Sequence, residues 1–493
     1  MKHLHPVMLA GTGSDVGKSI IATGLCRIFS DDGYHPAPFK AQNMALNSYA
    51  TPDGKEIGRA QAVQAEAARV ECHTDMNPLL LKPSSDKTSQ VVLNGVPIGN
   101  RDAYDYFRTQ GRETLRAAVH EAFDRLAARF NPIVMEGAGS IAELNLKETD
   151  LVNMSMARYA DADVILVADI DRGGVFASVY GSIMLQSPDD RKRIKGVIVN
   201  KFRGDMRLFD SGRKLMEEIC GVPVLGVVPF LNDVHIEEED SVSLASKQNT
   251  ASADGRVNVA VVRLSHISNF TDFNVLEKDP RVNLFYTNNV AELTNADIII
   301  LPGSKSTIAD LRDIKNNGVA AAILKAHRRG CAVVGICGGY QMMGSEVRDP
   351  EGVEGAPGSI AGLGLLPAVT TLTASKVTRQ VEFAHNGSTC HGYEIHMGRT
   401  DISGAAPFTT INGDIPTPDG CIVSTGCWGS YIHGVLDNPA VVDSLLQPYL
   451  SGRQAESQFD YSQYKQEQYN LLAQELRKYI DIDALYKIMG RDD

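Results

Sequence analysis

The run Gly11-Thr12-Gly13-Ser14-Asp15-Val16-Gly17-Lys18-Ser19 decides how the first half of the chain folds. It follows the apolar stretch Val7–Gly11 and leads into Ser19–Ser30, which has the composition of an amphipathic helix. A glycine-rich turn between a strand and a helix N-terminus aims several backbone N–H groups at one point, the arrangement that cradles phosphate. Residues Thr12 to Ser19 are therefore the expected ATP-binding loop. Lys18 is placed to reach the β and γ oxygens, and the Ser19 hydroxyl to ligate Mg2+. Five residues separate Gly11 from Gly17, one more than in the common G-x4-G-K-[ST] loop.

Outward from this loop, apolar runs bounded by glycine recur at Pro132–Gly139, Asp163–Ile170, Gly196–Asn200 and Val222–Pro229. Helical stretches such as Asp102–Phe130 lie between them. Alternating strands and helices imply an α/β domain, a parallel sheet with helices on both faces. The carboxyl ends of such strands border the ligand crevice, which singles out three more residues. Glu136, closing a strand before Gly137-Ala138-Gly139, is expected to help hold Mg2+. Lys40, after Phe39, is expected to neutralise a transferring phosphoryl group. Asn200 is expected to read the adenine edge. Their plainer readings are a solvated turn carboxylate, a solvated lysine and a structural amide.

The charged run Glu237–Asp240 and the small polar stretch Ser246–Asp254 have linker composition. The expected division is a synthetase domain at 1–245, a linker at 246–256, a second α/β domain at 257–450 and a helical tail at 451–493. The second domain opens with strand-like Val257–Leu264, Asp297–Leu301 and Cys331–Ile336. It then turns to antiparallel-looking pieces around Val369–Thr373, Arg379–Phe383 and Cys421–Val423. Cys331–Ile336 runs into Cys337-Gly338-Gly339-Tyr340-Gln341. A cysteine between small residues at a strand-to-helix turn is exposed on a sharp bend, and the helix N-terminus favours its thiolate. Cys337 is thus the expected nucleophile, with the Gly338 N–H as oxyanion donor and the loop at Gly303 supplying a second. A base must take the thiol proton. His433, in Tyr431-Ile432-His433-Gly434, is the first choice, and His396, in Tyr393–Gly398, the competitor.

Composition narrows the partners. Of 493 residues, 43% are apolar and 22% charged, ordinary values for a globular chain. The 48 basic residues against 60 acidic ones argue against a nucleic-acid binder. No apolar run approaches the roughly 18 residues that span a bilayer, and Val7–Ala10 is too short for a signal-peptide core. No membrane partner is expected. Eight cysteines without a CxxC pair fit reduced thiols and a cytoplasmic location. A homo-oligomer is left open.

The expanded loop resembles the GT-x4-GK[ST] loop of the dethiobiotin synthetase-like ATPases, which phosphorylate a carboxylate or carbamate. Glu136-Gly137-Ala138-Gly139 resembles the E-G-A-G stretch of the same group. Partition and septum-site ATPases carry a further lysine near the loop start, where this chain has Thr12. The Cys337 elbow resembles that of the class I glutamine amidotransferases, whose cysteine attacks glutamine and releases ammonia. Those domains usually carry H-x-E, whereas His433-Gly434-Val435 lacks the glutamate. Another group, such as a backbone carbonyl, must then orient His433.

The stretches GTGSDVGKS, FKAQNMALNS, EGAGS, AELNL, ADIDRGGVFAS, PGSKST, GGYQMMG and YEIHMG occur in one order. Together they resemble the cobyrinate amidase family over about residues 5–440. The resemblance implies that ATP, with Mg2+, activates a carboxylate as an acyl phosphate, which ammonia from L-glutamine then displaces. The implied acceptor is adenosylcobyrinic acid a,c-diamide, amidated at its b, d, e and g side chains. Asn43 and Asp150 are candidate substrate residues, and Arg172, Lys201 and Arg203 candidate local cations. The alternatives are another amide ligase, acting on other corrin carboxylates or a cell-wall precursor, and a nucleotide-switch scaffold with a relic amidotransferase domain.

Overall fold

The computed structural model describes residues 3–83, 88–102, 112–237, 239, 244, 247–450 and 459–490. They form two compact units. The first comprises Met1–Ala45, Ile57–Glu237 and Tyr464–Asp493, and the second Leu46–Glu56 and Glu238–Gln463. The change of unit at Glu237 falls at the start of the charged run Glu237–Asp240, ahead of the expected linker at 246–256, and two stretches depart from a linear division. Leu46–Glu56 belongs to the second unit, and the tail helix belongs to the first.

In the first unit, six parallel strands lie in the order Val224–Pro229, Ile194–Phe202, Asp163–Asp169, Val7–Gly11, Ile133–Glu136, Ala37–Phe39. Val7–Gly11 is buried at every position, as a strand covered on both faces must be. Its neighbours are a later strand on each side, so successive connections diverge from it. That divergence opens a crevice at its carboxyl end, where Gly11 begins the glycine loop. The helix Lys18–Asp31 follows.

A further sheet, Gln42–Met44, Leu79–Pro83, Thr88–Leu93 and Val96–Asp102, was not anticipated. Asn94-Gly95, both left-handed at φ 48° and 78°, turn Thr88–Leu93 into Val96–Asp102 as a two-residue hairpin. Asp102 therefore ends a strand instead of opening a helix. The helix expected over Asp102–Phe130 is found at Arg112–Ala127, and 103–111 lie outside the described residues.

The C-terminal helices Tyr461–Tyr479 and Ile482–Ile488 complete this core. Tyr469, Leu472, Leu476 and Leu485 share one apolar cluster with Ile21, Leu25 and Phe29 of the helix after the loop. Leu476 packs where a Cβ on Gly24 would stand, and the buried Arg27 bonds Gln466 and lies 5.4 Å from the Tyr469 ring centre. The tail is a wall of the nucleotide-binding unit.

In the second unit the strand order is Val282–Thr287, Val257–Val262, Ile298–Leu301, Ala332–Ile336, Cys427–Ser430, Cys421–Ser424, parallel except for the last. The antiparallel pieces are larger than their fragments suggest. Ala368–His385 and Ser388–Ile402 make one long hairpin, whose second strand pairs with Ile432–His433.

Candidate active sites

The loop of the first unit is built for close backbone approach. Asp15 and Gly17 are left-handed, at φ 55° and 95°, and the Asn200 amide occupies the place of a Cβ on Gly17. Asn200 Nδ2 donates to the Val16 carbonyl at 2.9 Å, so it braces the loop from the end of strand Ile194–Phe202. The Thr12 N–H donates to Val167, and Ser14 and Asp15 are exposed at the loop's tip. Lys18 folds back over the loop, donating from Nζ to Gly13 O at 3.0 Å and Gly139 O at 3.1 Å. Burial, opposed by Glu136 and reinforced by Lys40, lowers its pKa to about 8.

Glu136 gathers the rest. Its Oε1 accepts from Ser19 Oγ at 2.8 Å and from Lys40 Nζ at 2.8 Å, and its Oε2 from Gln64 at 2.7 Å. Burial alone would raise its pKa, yet the Lys40 charge and these hydrogen bonds hold it below the ordinary carboxylate range. Ser19 Oγ and the ionised Glu136 are hard oxygen donors of the kind Mg2+ takes. Mg2+ usually completes its shell with phosphate and water, so two protein oxygens suffice. Asn153 steadies the turn beyond, exchanging two hydrogen bonds with Ala138.

The other candidates are arranged less directly. Asn43 is buried, donating to Gln61 at 3.0 Å and accepting from Met44 N–H at 2.9 Å. Asp150 accepts from the N–H groups of Val152 and Asn153 and from Ser155, capping the turn into Met154–Tyr159. Among the cations, Lys201 pairs with Asp169 at 3.0 Å, Arg172 with Asp15 at 3.5 Å and Arg203 with Asp171 at 2.8 Å.

In the second unit Cys337 has φ 51° and ψ −108°, a strained conformation at the junction between Ala332–Ile336 and the turn Gly338–Met343. The bend throws the thiol clear of both elements. It donates to the Ile395 carbonyl at 3.7 Å and lies close enough to His433 to favour the imidazolium. Gly338 packs on the Gly303-Ser304 loop so closely that a Cβ would lie 2.8 Å from the Ser304 N. A Cβ on Gly303 would lie 3.0 Å from the Ser268 carbonyl oxygen. Both glycines are thus needed where two backbone segments converge beside the thiol.

The third member is a carboxylate, not a backbone carbonyl. His433 Nδ1 lies 2.7 Å from Asp272 Oδ2, and Asp272 Oδ1 accepts the Gly434 N–H at 3.1 Å. Burial disfavours charge on His433, but the Asp272 carboxylate and the Cys337 sulfur outweigh it and raise its pKa well above the usual imidazole value. Tyr393 stacks on the ring, with centroids 5.3 Å apart. His396 is engaged elsewhere, bonded to Gly398 O at 2.8 Å and stacked on Tyr431 at 3.8 Å. Sequence reasoning missed Asp272. Its signal was an acid between two phenylalanines, Phe270-Thr271-Asp272-Phe273, since a charge in an apolar run must be paired when buried.

Family models match both units. Residues 7–244 match the CobQ/CobB/MinD/ParA nucleotide binding domain, and residues 258–441 the CobB/CobQ-like glutamine amidotransferase domain. A protein of Phocaeicola vulgatus named cobyric acid synthase is 65% identical over 100% of both chains. One of the same name from Bacteroides fragilis is 64% identical over 100% of both, and one from Parabacteroides distasonis 55% identical over 98% of this chain and 99% of its own. No helix among the described residues is long and apolar enough to cross a membrane. Similarity of this degree along the whole length establishes that the chain belongs to the cobyric acid synthase family, glutamine-hydrolysing amide ligases of cobalamin biosynthesis.

Proposed function

We propose that this chain converts adenosylcobyrinic acid a,c-diamide to adenosylcobyric acid by amidating the b, d, e and g carboxylates, consuming ATP and L-glutamine at each. The synthetase half, residues 1–245, forms the acyl phosphate. A carboxylate oxygen of the acceptor attacks the γ-phosphorus and ADP leaves, while Lys18 and Lys40 compensate the charge spread over the equatorial oxygens. Ser19 and Glu136 would hold Mg2+, which would supply neutralisation of the phosphate oxygens. Ammonia then attacks the acyl carbon, phosphate leaves and a proton is lost, giving the amide.

The amidotransferase half, residues 257–450, supplies the ammonia. The Cys337 thiolate adds to the carboxamide carbon of glutamine, and the N–H groups at Gly338 and the Gly303 loop receive the oxyanion. His433 protonates the departing ammonia, leaving a thioester. His433 then takes a proton from water, whose oxygen displaces the thiolate and yields glutamate. Asp272 keeps the Nδ1 proton in place, so that Nε2 does the exchange. The observation that carries this reading is the 2.7 Å contact of His433 with Asp272 behind a strained Cys337. A nucleotide-switch scaffold has no use for such a set.

Cys337→Ser is expected to abolish glutamine-dependent amidation and to retain amidation from added ammonium salt. Lys18→Ala is expected to remove both. Loss of both activities in Cys337→Ser, or ammonia-driven turnover in Lys18→Ala, would overturn the two-site reading.

A further inference from the structure

Segment Leu46–Glu56 departs from the first unit and packs within the second, behind the Cys337 machinery. Its centre is Ser48, fully buried. The Ser48 N–H donates to Asn269 Oδ1 at 2.9 Å, and the Ser48 carbonyl accepts from the Tyr393 hydroxyl at 3.3 Å. These two partners are the supports of His433. Asn269, left-handed at φ 51°, immediately precedes the turn Phe270–Phe273 that carries Asp272. Tyr393 is the residue whose ring stacks on His433. Around Ser48 the segment is fastened further. Tyr49 packs on Tyr393 with ring centres 4.6 Å apart, Gln380 donates to the Ala50 carbonyl, and Glu56 pairs with Lys376 inside the unit. The backbone of one residue thus bonds both Asn269, beside the turn that carries Asp272, and Tyr393, stacked on His433.

We propose that Leu46–Glu56 is a strap that holds the His433–Asp272 pair in register for glutamine hydrolysis through Ser48, Asn269 and Tyr393. Asn269 and Tyr393 are positioning residues, acting through Asp272 and His433. The inference rests on the function proposed above.

The test uses the full-length chain and measures glutamate release and ammonium-driven amidation side by side. Asn269→Gly removes the Ser48 acceptor while glycine still accepts the left-handed backbone, and Asn269→Asp restores an acceptor oxygen. Losing a buried hydrogen bond that orients the base is expected to lower kcat for glutamine hydrolysis about 10-fold in Asn269→Gly. KM for glutamine and ammonium-driven amidation stay at wild-type levels, and Asn269→Asp recovers most of the rate. Tyr393→Phe, which keeps the stacked ring, shifts kcat in the same direction and carries the test if Asn269→Gly fails to fold. Wild-type hydrolysis in both Asn269→Gly and Tyr393→Phe, or failure of Asn269→Asp to recover, would overturn the strap. Failure of the underlying function reads differently, as no amidation from either nitrogen source.

Discussion

Asp272→Asn tests the least expected element of the amidotransferase site. The substitution keeps the shape of the side chain and removes its charge. In the native protein the carboxylate faces His433 Nδ1 at 2.7 Å with both groups buried, and its second oxygen holds the Gly434 N–H. A charge-assisted hydrogen bond between desolvated partners is worth about 3 kcal/mol, which at 1.36 kcal/mol per decade is on the order of 100-fold in rate. The sign of the pH effect follows from the same contact. Asp272 raises the pKa of His433, so its removal lowers it, and the imidazolium that pairs with the thiolate is lost at lower pH. Steady-state glutamate release should therefore fall about 100-fold in kcat, with the alkaline limb of kcat/KM moved toward acid. Ammonium-driven amidation should be untouched. A glutaminase rate near wild type, with an unmoved alkaline limb, would refute the assignment of Asp272.

Other consequences are open to simple measurements. Burial lowers the pKa of Lys18 to about 8, and a phosphate placed beside it would oppose that shift. ATP binding above that pH should take up protons, seen as a binding enthalpy that changes with buffer ionisation enthalpy; equal enthalpies across buffers would contradict this. Gly338→Ala would set a Cβ 2.8 Å from the Ser304 backbone nitrogen and displace the oxyanion donors. Glutaminase kcat should drop about 100-fold while the ammonium-driven reaction persists. Leu476→Ala hollows the core between the tail and the helix Lys18–Asp31, and should cost roughly 2–5 kcal/mol in denaturant unfolding. A tail that merely decorated the surface would give almost no change.

Much of this was legible where chemistry and local pattern coincide. Val7–Gly11 is buried on both faces, and its apolar run identified it as a central strand. The Cys337 elbow needs small neighbours because two backbones meet there, so glycines announced it. What escaped was set by tertiary contact. Asp272 stands 161 residues from His433, and no spacing rule joins them. The tail's polar composition hid a buried stripe, because Tyr469, Leu472 and Leu476 are interleaved with the polar Asn470, Gln474 and Glu475. The strap at Ser48 was invisible because its contacts are mostly made by backbone atoms, which any side chain permits. Asn94-Gly95 differs, for it is a recognisable hairpin turn that a helical reading of the next segment overlooked.

The most direct test of the central claim is mass spectrometry of adenosylcobyrinic acid a,c-diamide incubated with the protein, ATP, Mg2+ and glutamine. The expected result is a series of products with up to four exchanges of OH for NH2, at the b, d, e and g carboxylates. The series should vanish with Cys337→Ser and return on adding ammonium salt. An acceptor recovered unchanged, while other carboxylic acids were amidated under the same conditions, would contradict it.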